Sequence, residues 1–213
     1  MLTEKYRPKT FEEVIGQDKA IASLKRLDTL AGRAYWIAGP SGTGKTTIAR
    51  IMATQVAHKS AIVELDATAL TLDALEEVDK MLHYRGFTAE KPGKVAIINE
   101  AHGLNHKTIK RLLVMLEFIP AHAVWIFTTT GDGNTLFEER LDGSPLISRC
   151  FPVPFTSQGL ADKFAKRARE IASIENLNGK PESVYLKLVK EQHNNLRAVL
   201  QVIETGQLLE QGF

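Results

Sequence analysis

The chain has 213 residues, of which 44% are hydrophobic and 24% charged, an ordinary balance for a globular protein. Lys and Arg number 27 against 25 Asp and Glu, a formal net charge of +2; that total neither demands nor excludes nucleic acid, because a local basic face can sit within it. The single cysteine, Cys150, excludes intrachain disulfides and cysteine-cluster zinc sites, and with no apolar run of about 18 residues no membrane span is expected.

Met1 to Asp18 reads as an extended, charged lead-in containing Arg7-Pro8. It lacks the apolar core of a signal peptide, so a soluble, intracellular, cytoplasmic protein is expected. Ile21, Leu24 and Leu27 recur at helical spacing and predict a helix within Lys19 to Leu30. Tyr35-Trp36-Ile37-Ala38 predicts a buried strand. Directly after it stands Gly39-Pro40-Ser41-Gly42-Thr43-Gly44-Lys45-Thr46, which fits the phosphate-binding pattern G-x-x-x-x-G-K-[ST]. Thr47 to Ala53 continues as a helix. Strand, glycine-rich turn and helix together form the context this motif requires. Its glycines let backbone N–H groups close on a polyphosphate, and the helix N-terminus adds partial positive charge. Lys45 is then expected on the β- and γ-phosphates, and the Thr46 hydroxyl on Mg²⁺. A chance glycine-rich turn is the plainer alternative.

Ala61 to Leu65 predicts a second strand and Leu70 to Leu82 a helix. Val95-Ala96-Ile97-Ile98 is a continuous apolar run, as a strand buried on both faces requires. It ends in Asn99-Glu100, where a P-loop enzyme keeps an acidic pair: the first residue supports Mg²⁺ and the second polarises the attacking water. Asn99 brings no negative charge. Weak hydrolysis is therefore expected, and a carboxylate at position 99 is expected to strengthen metal positioning. The plainer reading is a polar strand end. Lys107 to Phe118 predicts a helix, Ala123 to Phe127 a buried strand, and Phe151-Pro152-Val153-Pro154-Phe155 an edge strand, since two prolines exclude a central position. Strands alternating with helices imply a parallel sheet sandwiched by helices. Beyond Thr156 only helical patterns remain, over 161–174, 183–191 and 196–210, which suggests a small all-α subdomain.

The order of these motifs resembles the clamp-loader branch of the AAA+ ATPases: replication factor C small subunits, phage clamp-loader subunits and bacterial DNA polymerase III gamma/tau. The resemblance runs nearly end to end. Glu4-Lys5-Tyr6-Arg7-Pro8 and Phe11 to Gln17 look like the box around the adenine. Asn99-Glu100-Ala101-His102 is similar to the Walker B segment, apart from its first residue. Phe127-Thr128-Thr129-Thr130 stands at the sensor 1 position, Ser148-Arg149-Cys150 matches the Ser-Arg-Cys motif, and Asn195-Leu196-Arg197 matches the sensor 2 helix. The bacterial gamma-type zinc cysteines are absent, so the replication factor C or phage type is nearer.

The resemblance implies an α/β P-loop NTPase domain over 1–156 and a helical lid over 157–213; the collar domain that follows the lid in that family is expected to be absent from these 213 residues. It implies ATP and Mg²⁺ as cofactors, with nucleotide contacts from Arg7, Val14, Ile15, the loop residues Gly39 to Thr46, Thr47 and Arg197. Thr46 and Asn99 would stand at the metal, Glu100 would act as general base, and Thr129, or Thr130 one position on, would face the γ-phosphate. Arg149 would reach a neighbouring subunit's nucleotide as an arginine finger. Implied partners are neighbouring AAA+ subunits, a sliding clamp and primer–template DNA, the last met through Arg85, Lys107, Lys110 and Arg111 on backbone phosphates. Taken singly, Arg149 reads as a surface ion pair, and Arg197 and the DNA candidates as solvated charges. Two other functions fit the same core. One is another DNA-associated AAA+ ATPase, such as a helicase loader, a Holliday-junction motor or a replication-repair ATPase; the other is a scaffold subunit that binds nucleotide with little catalysis.

Overall fold

The computed structural model describes residues 1–84, 91–131 and 143–209. The chain groups into two compact units: one holds Lys19–Gly39 and Lys45–Phe155, the other Met1–Asp18, Pro40–Gly44 and the residues from Thr156 onward. A contiguous split at 156/157 is the expectation from sequence; by contact, Met1–Asp18 and Pro40–Gly44 group with the C-terminal helices, and Gly39 stays with the sheet.

The first unit is built on five parallel strands, β1 (Arg33–Ala38), β2 (Ile62–Asp66), β3 (Lys94–Asn99), β4 (Ala123–Thr129) and β5 (Cys150–Pro154), in the order β2-β3-β4-β1-β5. Successive residues of a strand point to opposite faces. Ala34, Trp36, Ala96, Ile98, Trp125 and Phe127 share one face. They pack in one cluster with Leu75, Val78 and Leu82 of α4 (Leu72–His83) and Ile109, Leu112 and Met115 of α5 (His106–Met115). The alternate residues Tyr35, Ile37, Val95, Ile97, Val124 and Ile126 are buried as well. α3 (Lys45–Val56), whose buried Ile48, Ala49 and Met52 lie outside that cluster, packs on β1, β3 and β4. Coverage of both faces is why β3 and β4 read as unbroken apolar runs. A shorter helix than expected, α2 (Asp18–Lys25), precedes β1, and a six-residue helix, α6 (Gly143–Ser148), precedes β5.

Among the described residues β5 pairs only with β1 and lies at one edge of the sheet, where Pro152 and Pro154 need supply no outward ladder donors. All five strands run the same way, so the carboxyl ends of β1, β3 and β4 lie along one rim, the usual ligand side of an open α/β sheet.

In the second unit, α7 (Ala161–Ile174), α8 (Glu182–Glu191) and α9 (Leu196–Glu204) bury Phe164, Ala168, Ile171, Tyr185, Val189, Val199 and Ile203 against one another. The lead-in is not extended throughout. Leu2–Lys5 form a short helix, α1, whose Leu2 joins this core, while Lys5 and Tyr6 both bond Glu175 at the end of α7. Those two donors hold the Glu175 carboxyl below its usual range. α9 ends at Glu204, several residues short of the expected 210, because the chain turns at Gly206 with a φ of 76°.

Candidate functional site

The sheet unit supplies most of the chemistry. β1 ends at Ala38, and Gly39 must pass close by β5: a Cβ on Gly39 would lie 2.6 Å from the Phe155 backbone oxygen. Lys45, the first residue of α3, is buried, and its Nζ donates to the Gly39 carbonyl at 2.8 Å. The loop's own backbone thus holds the ammonium ready. Thr47 is buried as well. The Thr46 hydroxyl donates to Asn99 Oδ1 at 3.3 Å, and Thr128 donates to the same oxygen at 2.8 Å.

Glu100 follows Asn99 with φ 51° and ψ 47°, a left-handed conformation rare outside Gly, Asn and Asp. Strain of this kind concentrates at functional sites. Glu100 Oε2 lies 3.5 Å from His102 Nδ1, which itself is 3.1 Å from the hydroxyl of fully buried Thr129. One imidazole therefore links the expected general base to the expected sensor residue. Of the two sensor alternatives, Thr129 is the last residue of β4 and makes this contact; Thr130 lies just beyond the strand and accepts from Thr129 through its carbonyl. Sequence reasoning passed over His102, Thr128, Glu64 and Arg50. The first two stood inside quoted motifs; Glu64 and Arg50 carried no signal beyond strand and helix placement.

Arg149 is exposed just before β5. It donates to Glu117 at 2.7 Å and to the Pro145 carbonyl at 3.0 Å. Lys107, Lys110 and Arg111 are exposed along one side of α5, with Arg111 3.4 Å from Glu76. Arg85 lies outside the described residues. Cys150 is buried, donates to Leu146, and burial pushes its thiol up to about 12, so no reactive thiolate stands here.

The helical unit holds the middle of the loop. Gly42 takes φ 73°, and a Cβ there would lie 1.8 Å from Asn195 Oδ1. That same oxygen caps α9 by accepting from Ala198 N at 3.2 Å. Asn195 follows His193 and Asn194, both at positive φ. Gln17 bridges the Thr43 and Thr156 carbonyls, and its own oxygen accepts from Thr156 N. Ser41 is exposed and Pro40 accepts from the Thr43 hydroxyl. Arg197, two residues past the cap, is exposed on α9. Arg7 pairs with Glu4, Val14 is half-buried, and Ile15 packs on the helical core.

These residues fit a nucleotide and a divalent cation. Among the described residues, nothing lies within 4 Å of where a Cβ on Gly44, at φ 97°, would stand. Thr46 commits its proton to Asn99, which leaves hydroxyl lone pairs for a hard cation. Among the described residues no group of three or more His, Cys, Asp or Glu stands together as a metal cage.

Residues 35–142 match the family described as "ATPase family associated with various cellular activities (AAA)". The DNA polymerase III subunit gamma of Buchnera aphidicola is 26% identical over 96% of this chain and 60% of its own length. Bacillus subtilis subunit tau is 30% identical over 76% of this chain and 32% of its own. Mycobacterium tuberculosis H37Rv gamma/tau is 34% identical over 61% of this chain and 27% of its own. The chain thus spans less than two thirds of these curated relatives. Among solved structures, the Thermotoga maritima RuvB Holliday junction branch migration motor superposes with a TM-score of 0.65 at 22% identity, covering 93% of this chain and 64% of that one. A point mutant of the same RuvB gives 0.69 at 21% identity, over 94% and 65%. At such identities the likeness establishes the fold alone.

Proposed function

The chain belongs to the AAA family of ATPases, and from that premise we propose that it binds and hydrolyses ATP with Mg²⁺ as a subunit of a DNA sliding-clamp loader. The observation that carries the reading is the convergence of Lys45, Thr46, Asn99 and Glu100 at the carboxyl rim of the sheet. Similarity to the gamma and tau subunits supports the clamp-loader assignment over other DNA-associated AAA+ functions.

Lys45 holds the β- and γ-phosphates as a point charge, and backbone N–H groups of the loop cradle them. Thr46 would hold Mg²⁺ with Asn99 beside it, and the ion would supply charge neutralisation to the phosphates. Glu100 accepts the proton of the attacking water, with His102 and Thr129 fixing its direction. Arg197 belongs to the lid over 157–213, and Arg149 acts on a neighbouring subunit's nucleotide. Lys107, Lys110 and Arg111 touch duplex phosphates without reading bases.

The test is steady-state ATP turnover with and without primed DNA and a candidate clamp. Stimulation by both together supports the reading. Turnover indifferent to DNA and clamp rejects the clamp-loader assignment while leaving the ATPase intact.

A further inference from the structure

The Asn99 amide is held from two sides. Its oxygen accepts from Thr128 at 2.8 Å and from Thr46 at 3.3 Å, and its Nδ2 donates to Glu64 Oε1 at 2.8 Å. Glu64 lies on β2, where Glu64 pairs with Ile97 and Asp66 with Asn99, so Glu64 and Asn99 are diagonal neighbours on one face of the sheet. The Glu64 carboxylate is itself gripped from α3. Arg50 Nε donates to Oε2 at 2.8 Å and Arg50 Nη2 to Oε1 at 3.0 Å. This two-bond fork fixes both oxygens.

An amide has one donor end and one acceptor end. Glu64 offers only acceptors, whereas Thr46 and Thr128 can donate. A flipped Asn99 would set its oxygen against the carboxylate. The observed orientation is therefore imposed by Glu64. An anion at the NH₂ end also draws electron density toward the carbonyl oxygen, the atom that faces Thr46.

We propose that Glu64, clamped by Arg50, is a positioning residue for the metal end of the site, and that Asn99 and Glu64 together replace the single carboxylate that position 99 lacks. The proposal rests on the ATP–Mg²⁺ reading above. It reverses the expectation that a carboxylate at 99 would help. Asn99→Asp removes the donor and sets a second anion against Glu64 across a contact now 2.8 Å long.

The experiment compares the full chain as wild type, Asn99→Asp, Glu64→Gln and the double variant. The first readout is the melting midpoint without nucleotide or Mg²⁺. Asn99→Asp should lower it by about 3 °C or more. The double variant should recover about half of that loss or more, because the new amide then donates to the new carboxylate, while Arg50 Nη2 gives up the oxygen it shared with Asn99. The second readout is the Mg²⁺ concentration giving half-maximal ATP turnover. Each single variant should raise it about tenfold, and the double should return it to within about threefold. A merely structural contact would move the midpoint and not the Mg²⁺ requirement. The proposal is overturned if Asn99→Asp melts like wild type and needs less Mg²⁺, or if the two losses simply add. Absence of ATP binding by wild type would instead reject the reading of the site, and the melting cycle would still decide whether Glu64 sets Asn99.

Discussion

Glu100 combines a strained backbone with a specific side-chain neighbour. Its φ of 51° would relax in a flexible strand end, yet it is fixed between β3 and the short 3₁₀ turn Ala101–Gly103. The carboxylate consequently stands beside His102, which also touches Thr129. Proton abstraction from water needs the carboxylate; orienting water and binding phosphate do not. Glu100→Gln should therefore lower turnover by about 10² or more while changing ATP affinity by less than about threefold. Parallel measurements of turnover and of equilibrium ATP binding check this. Equal loss of both would assign Glu100 to binding instead.

At the scale of elements, the N-terminus of α9 and the loop residue Gly42 constrain each other. Asn195 Oδ1 caps the helix, and the space beside it is filled by the Gly42 backbone. Asn195→Ala should cost about 1 kcal/mol through the lost cap. Gly42→Ala should cost more, about 2 kcal/mol, because it adds a side chain at positive φ and displaces a capping oxygen that has another bond to keep. Urea unfolding of both variants measures this; a smaller cost for Gly42→Ala would show that the contact is slack.

The elements themselves were largely legible from apolar pattern and punctuation. All five strands, the loop and the edge position of β5 follow from apolar runs, glycines and the two prolines. What periodicity could not give was pairing across strands. Glu64 on β2 meets Asn99 on β3 only because of their register, and Thr128 meets it only because β4 lies on the other side of β3. The helix at Leu2–Lys5 was missed for a different reason. Four residues are too few to show a period, and this one is held by Leu2 in a distant core and by Lys5 and Tyr6 on Glu175.

For the whole molecule, Arg149 is the residue proposed to act on a neighbouring subunit's nucleotide. Arg149 is bound to exposed Glu117, and an ion pair of that kind contributes about 0–1 kcal/mol. Leaving it for a neighbour's phosphates thus costs little. Arg149→Ala should leave ATP binding by the isolated chain unchanged and depress turnover in an assembly. Mixing Arg149→Ala with Lys45→Ala protein should restore part of the turnover, since each then supplies what the other lacks. No recovery under conditions where sedimentation detects mixed oligomers would reject action between subunits. Among the described residues no helix is long and apolar enough to cross a membrane.

The proposed ATPase function depends on the loop being a nucleotide site. Lys45 is buried, held to Gly39 at 2.8 Å, and is the charge proposed to meet the β- and γ-phosphates. Titrating a fluorescent ATP analogue with Mg²⁺ into wild type and Lys45→Ala tests that directly. The account predicts saturable binding by wild type and a loss of about 30-fold or more in the variant, the scale of a charge-assisted phosphate contact. Equal affinity for the two proteins would contradict it.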